Sequence, residues 1–175
     1  MKEIIPTNVH SLKLPQPKAA ISVSSAPSGF DGITIYFDGS CTPNPGAMRY
    51  GIIATDGSQV ILEIKGDVGE DGHNGIAEAL GLRRAFEVAA AIKATPALSA
   101  KPLRIVGDGQ NAINAINNVW TFRAEPERTI IEEAKTLRQA LEPGYASKLA
   151  SGSPLDLPVE KIPDAENLAH DAAAD

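Results

Sequence analysis

Apolar residues in this chain fall into two kinds of run. Four are short and rich in β-branched or aromatic residues: ITIYF (33–37), YGIIAT (50–55), QVILEIK (59–65) and LRIVG (103–107). Each reads as a strand. The second and third flank Asp56-Gly57-Ser58, a hairpin signal, so the first three strands should form an antiparallel meander. The other runs carry helical spacing. With Glu78 at zero degrees and 100° per residue across 74–94, Leu82, Ala85, Ala89 and Ile92 fall within about 40° of it. Arg83, Arg84 and Glu87 fall on the far side, where the two arginines read as a solvated face. Glu78 therefore stands in the middle of an apolar stripe, near the start of its helix. A carboxylate there is costly unless something compensates it.

The rest of the pattern is coarser. TPALSAKP (95–102) is a loop, and a short helix is expected through Ile113, Ile116 and Trp120. Another should carry Ile130, Ile131, Ala134, Leu137 and Leu141. A final strand is expected near 155–160, where its prolines mark an edge, and NLAHDAAAD (167–175) closes the chain as a helical stub. Residues 1–30 are rich in Pro, Ser, Ala and Lys without a sustained period, and read as a flexible arm before one domain over 31–175. There is no internal repeat.

Two of the strands run apolar and then meet an aspartate followed by glycine: Asp38-Gly39 and Asp108-Gly109. If they lie adjacent and parallel, both acids emerge at the carboxyl edge of the sheet, where open α/β sheets place their sites. Glu78 would join them from a helix packed on that sheet, and Asp171 is a fourth acid on the terminal helix. Such an oxygen-rich set suits Mg²⁺ or Mn²⁺. Two such ions, roughly 3.5–4 Å apart, can activate a water and stabilise the leaving oxygen of a phosphodiester. Each residue also has an ordinary explanation. Asp-Gly pairs make turns, Asn44 can open a turn before Pro45, and Asn74 can cap its helix. His73 reads as a surface turn residue, and Cys41 has no evident base beside it.

The ordered set of motifs resembles the type 1 ribonuclease H family. Asp38-Gly39-Ser40-Cys41 with Asn44-Pro45-Gly46 and Tyr50-Gly51 is similar to that family's opening. Asn74 four residues before Glu78 resembles its helix motif, and Gly107-Asp108-Gly109-Gln110 its Asp-Ser-Gln segment. Ile162-Pro163, Asn167 and Asp171 resemble its closing pattern, and the steps from 38 to 78, 108 and 171 are 40, 30 and 63 residues. The resemblance implies an α/β fold with a mixed five-stranded sheet in the order 3-2-1-4-5 and helices on both faces. It implies an endoribonuclease that hydrolyses the RNA strand of RNA–DNA hybrids with two metal ions, leaving a 3′-hydroxyl and a 5′-phosphate. Asp38, Glu78, Asp108 and Asp171 would hold the metals. Asn44, Asn74 and Gln110 would contact the hybrid in its shallow minor groove, where 2′-hydroxyls mark the RNA. The chain departs from the family at Gly109, where serine is usual. It lacks a strongly basic protrusion, since the five basic residues within 119–150 are offset by five glutamates. The catalytic-loop histidine of some members has no counterpart in 161–170 other than His170.

Composition bounds these readings. The 175 residues, 43% of them apolar, allow one domain with a real core. A single cysteine, no run near the roughly 20 apolar residues of a membrane span, and no apolar signal core favour a cytoplasmic protein. The formal charge of −6 points to weak phosphate affinity, although metal ions would offset the acids of the site. Three rivals follow: a metal nuclease of this fold acting on other nucleic acids, a non-enzymatic interaction module on it, and an unrelated α/β binding protein whose acids lie scattered.

Overall fold

The computed structural model describes residues 30–174. Apart from Phe30, the proposed arm lies outside the described residues. The chain runs β1 (Ile33–Cys41), β2 (Gly46–Asp56), β3 (Gln59–Gly72), α1 (Asn74–Lys93), β4 (Leu103–Gly107), α2 (Gln110–Ile116), α3 (Glu127–Leu141), α4 (Tyr145–Ser151), β5 (Val159–Lys161) and α5 (His170–Ala174). The five strands form one mixed sheet in the order 3-2-1-4-5. β1 pairs antiparallel with β2 and β2 with β3, while β4 lies parallel to both β1 and β5. The fold class expected above is the one observed.

The parallel β1–β4 ladder holds Ile33 against Leu103 and ends at Tyr36 against Val106. β1 does not stop at Phe37 as its apolar run suggests. It continues to Cys41, paired only with β2, because Gly39 and Ser40 still find antiparallel partners in Tyr50 and Arg49. Asp38 thus lies inside a strand but just past the point where β4 turns away.

Side chains alternate along β1. Ile33, Ile35 and Phe37 enter the main core with α1, whereas Tyr36 packs with Val106 and Ala169 on the opposite face. Two close backbone approaches set the layers. A Cβ on Gly39 would lie 2.3 Å from the Glu78 amide nitrogen, so the first turn of α1 rests directly on β1. A Cβ on Gly51 would lie 2.7 Å from the Ala169 carbonyl oxygen, so α5 approaches the other face equally closely. The Ser40 hydroxyl also donates to the Ala173 carbonyl, tying β1 to α5.

The structure corrects several local expectations. Arg83 and Glu87 are buried, at 6% and 2% exposure, because the apolar stripe of α3 (Ile130, Ile131, Ala134) covers the outer side of α1. Arg83 pairs with Glu133 at 2.9 Å and Arg84 with Glu87. α2 ends at Ile116, so Trp120 is outside it, held by a bond from its indole Nε1 to the Asn111 carbonyl at 3.2 Å. The final strand is shorter and later than expected, at the sheet edge that its prolines suggest. α4, bracketed by Gly144 (φ +83°) and Gly152 (φ +69°), carries no periodic signal. No helix among the described residues is long and apolar enough to cross a membrane.

Candidate active site

Asp38 and Asp108 leave neighbouring parallel strands at the same edge of the sheet. Asp38 is 7% exposed, and the Gly39 amide donates to its Oδ1 at 2.8 Å. Asp108 is half-buried just beyond β4, and Asn167 donates to its Oδ1 at 3.2 Å. The same Asn167 side chain donates to the Phe37 carbonyl at 2.9 Å, so one amide fixes the closing loop against β1 and orients an acid. Glu78 arrives from α1, where Asn74 Nδ2 donates to its Oε1 at 2.9 Å. A Cβ at Gly109 would come within 3.0 Å of Glu78 Oε2, which puts Glu78 directly beside the Asp108 turn.

All three acids have raised pKa values, with burial the largest cause of each. Burial, then the Asp108 charge, lifts Asp38 to about 6. Burial, then Asp108 and Asp38, lifts Glu78 to about 7. Asp108 is raised by burial and by the neighbouring Asp164 carboxyl, against the Asn167 hydrogen bond. Like charges held together out of water want a cation. His170 faces the group: its Nδ1 is 3.3 Å from Asp38 Oδ2 and 3.1 Å from Asp164 Oδ1. One ligand atom from each of Asp38, Asp108 and His170 lies within 4.8 Å of the others. Asp171, the fourth expected acid, is exposed in the first turn of α5, one residue beyond His170.

The three residues expected to touch substrate lie on the β1–β2 turn and at the starts of α1 and α2. Asn44 is exposed in the β1–β2 turn, and its Oδ1 accepts the Asn74 amide at 3.3 Å. The N-cap position belongs to His73, so Asn74 is not the cap; Asn44 satisfies one of the free amides of α1 from another loop. Gln110 is exposed at the start of α2 and donates to Asn114 Oδ1 at 2.7 Å. His73 is more than a turn residue, for its Nε2 pairs with the buried Glu127 at 3.0 Å.

Sequence reasoning singled out neither Asn167 nor Asp164 for the site. Asn167 was visible only as one letter of a motif. Asp164 carried no signal at all, because its place depends on the turn over Asp164–Glu166 that sets it beside Asp108 and His170.

The RNase H family model matches residues 31–143. RNase H1 from the halophilic archaeon Halobacterium salinarum has the same fold, at 22% identity and a TM-score of 0.55, covering 81% of this chain and 92% of that one. The N-terminal RNase H domain of a Mycobacterium tuberculosis protein gives 24% identity and a TM-score of 0.58, over 81% and 93%. LC11-RNase H1, isolated from compost and solved in complex with an RNA/DNA hybrid, gives 22% and 0.59, over 81% and 94%. No curated protein sequence matches the chain.

Proposed function

Because the chain belongs to the RNase H family, we propose that it is an endoribonuclease that hydrolyses the RNA strand of RNA–DNA hybrids. In this reading Asp38, Glu78, Asp108 and Asp171 serve two divalent ions, Mg²⁺ or Mn²⁺, and Asn44, Asn74 and Gln110 contact the hybrid. The observation that carries it is the meeting of Asp38 and Asp108 beyond the end of a parallel strand pair, with Glu78 beside both. The donors fit the ions. They are carboxylate oxygens, which suit hard divalent cations, and the raised pKa values of Asp38 and Glu78 reflect burial and then neighbouring like charge.

Bound divalent ions would supply an activated water and offset charge on the phosphate and the leaving 3′-oxygen. The protein's own part is positional. Asn74 holds Glu78, Asn167 holds Asp108, and the Gly39 amide holds Asp38, so three carboxylates keep fixed directions before substrate arrives. Asn44 and Asn74 are bonded to each other at the start of α1 and Gln110 is exposed at the start of α2, and their amide groups would read 2′-hydroxyls. Substrate grip is weak by design of the surface. Among the basic residues of 119–150, Arg128 pairs with Glu125, Lys135 with Glu132 and Lys148 with Glu142, while Arg138 is buried.

The test is cleavage of a labelled hybrid at low salt with Mg²⁺ and separately Mn²⁺, beside single-stranded RNA, duplex RNA and duplex DNA. Cutting confined to the RNA of the hybrid, and lost in Asp108→Asn, is the expected result. Cutting of another substrate that still needs Asp108 would reassign the nucleic acid. No cutting of any substrate would leave the fold without this activity.

A further inference from the structure

We propose that His170 is a direct nitrogen ligand of the divalent-metal site, giving it a preference for Mn²⁺ over Mg²⁺. The inference rests on the reading of Asp38 and Asp108 as metal ligands, and assigns a ligand that the four-acid set does not contain.

The closing loop delivers this imidazole. Asn167 Oδ1 accepts the Ala169 amide at 3.2 Å, and the Asn167 carbonyl accepts the His170 amide at 3.1 Å. Since the Asn167 side chain also bonds Phe37 and Asp108, the turn that starts α5 is pinned to the strand end bearing Asp38. His170 is the first residue of α5, and its ring projects back over Asp38. Nδ1 lies 3.3 Å from Asp38 Oδ2 and 3.1 Å from Asp164 Oδ1, and a ring nitrogen shares one 4.8 Å group with oxygens of Asp38 and Asp108. That spread is close to the spacing of ligands around a single ion with bonds of about 2.0–2.2 Å. Asp171 begins from an exposed position on the same turn.

The nitrogen matters because the two ions differ. Mg²⁺ demands oxygen ligands and keeps its waters, so an imidazole adds little to its binding. Mn²⁺ shares the carboxylate chemistry but, as a transition ion, also accepts nitrogen. Replacing one oxygen position by His170 therefore raises Mn²⁺ affinity while leaving Mg²⁺ affinity nearly as the acids alone would set it. A histidine that only held Asp38 in place would support both ions alike.

The experiment uses the full chain without a histidine tag. Mn²⁺ is titrated and followed by electron paramagnetic resonance, bound Mn²⁺ is examined for coupling to ¹⁴N, and Mg²⁺ affinity is measured by competition. The variants are His170→Ala, His170→Gln as a bulkier replacement should the first not fold, and Asp38→Asn. We expect ¹⁴N coupling in the wild type that disappears in the His170 variants. Mn²⁺ affinity should fall by about tenfold or more, and Mg²⁺ affinity by less than about threefold. Mn²⁺ bound without ¹⁴N coupling, or equal losses for both ions, would overturn the assignment of His170 while leaving the acidic site intact. Mn²⁺ binding that Asp38→Asn leaves unchanged would overturn the metal site itself, and His170 with it.

Discussion

Arg138 has no exposed surface and Glu142, one turn later, has 2%. Arg138 Nη1 donates to the Ile116 carbonyl and to Asn117 Oδ1, each at 3.0 Å, Nη2 reaches the Leu157 carbonyl at 3.4 Å, and the guanidinium stacks 4.6 Å from the Tyr145 ring. Glu142 accepts the Asp156 and Leu157 amides at 2.9 and 2.8 Å and Lys148 Nζ at 2.9 Å. Burial opposes the Glu142 charge, but those three donors outweigh it and hold the carboxyl below its usual range. At the ends of β1 and β4 the balance runs the other way. Asp38, Glu78 and Asp108 face one another with too few donors, and Asp38 and Glu78 rise to about 6 and about 7. Both regions bury charge, but the first surrounds it with polar partners, Arg138 Nε alone lacking one, and the second sets like charges against one another. The first ties α3, α2 and the β5 approach together; the second gathers like charges at the strand ends, which is what the proposed metal site requires.

Removing one charge from each region separates the two roles. Asp38→Asn keeps the shape of the side chain and takes away a proposed metal ligand. Cleavage of the hybrid should fall by about a thousandfold or more, equivalent to roughly 4 kcal/mol of transition-state stabilisation. In the absence of divalent ions its melting temperature should stay the same or rise, since one like charge is gone. A variant that unfolds, or that retains activity in a clean preparation, would erase the contrast. Arg138→Met should do the reverse. It strands the Ile116 and Leu157 carbonyls and Asn117 Oδ1, a loss on the order of 3 kcal/mol in urea denaturation, while Glu142 keeps its ion pair with Lys148. Per folded molecule its cleavage rate should match the wild type. A rate loss as large as that of Asp38→Asn would mean that the network reaches the site.

The satisfied region was nearly invisible in the sequence, and the unsatisfied one was largely legible. Glu78 stood out because a single helix wheel is enough to show an acid in an apolar stripe. Asp38 and Asp108 stood out because an apolar run ended at each. Those signals are local, and the β1–β4 pairing needed only one further assumption. The burial of Arg83, Glu87 and Arg138 could not be read this way. On a wheel Arg83 and Glu87 lie outside the α1 stripe, and only the packing of α3 over α1 puts them inside; Arg138 falls within the α3 stripe, between Ala134 and Ile131, but the acceptors that meet it belong to other elements. The strand signal also failed at Gly39 and Ser40, where polar turn-forming residues continue β1 because β2 offers partners for their backbone. His170 and Asp164 were placed by the Asn167 turn, a contact across 130 residues that no local pattern encodes.

The two regions also predict opposite responses to acid. For Asp38 and Glu78 the folded pKa lies above the usual 3.8 and 4.5, so between about pH 4 and 7 the folded protein holds protons that the unfolded chain has released. Metal-free stability should therefore fall as pH rises through that window, by a few kcal/mol, with no penalty below it and the full penalty above it. For Glu142 the folded pKa lies below the usual 4.5, so its stabilisation is present above that value and lost only as pH falls below it. A metal-free thermal scan should show both limbs, with a maximum near pH 4–5 where neither acts strongly. Glu78→Gln should flatten the upper limb and leave the lower one in place. Saturating Mn²⁺ or Mg²⁺ should flatten the upper limb too, raising the melting temperature more at pH 8 than at pH 5.5, because ions and protons compete for the same oxygens. An upper limb that neither the variant nor the ions alter would show that these acids are not the groups releasing protons there, and the contrast between the two buried clusters would lose its electrostatic basis.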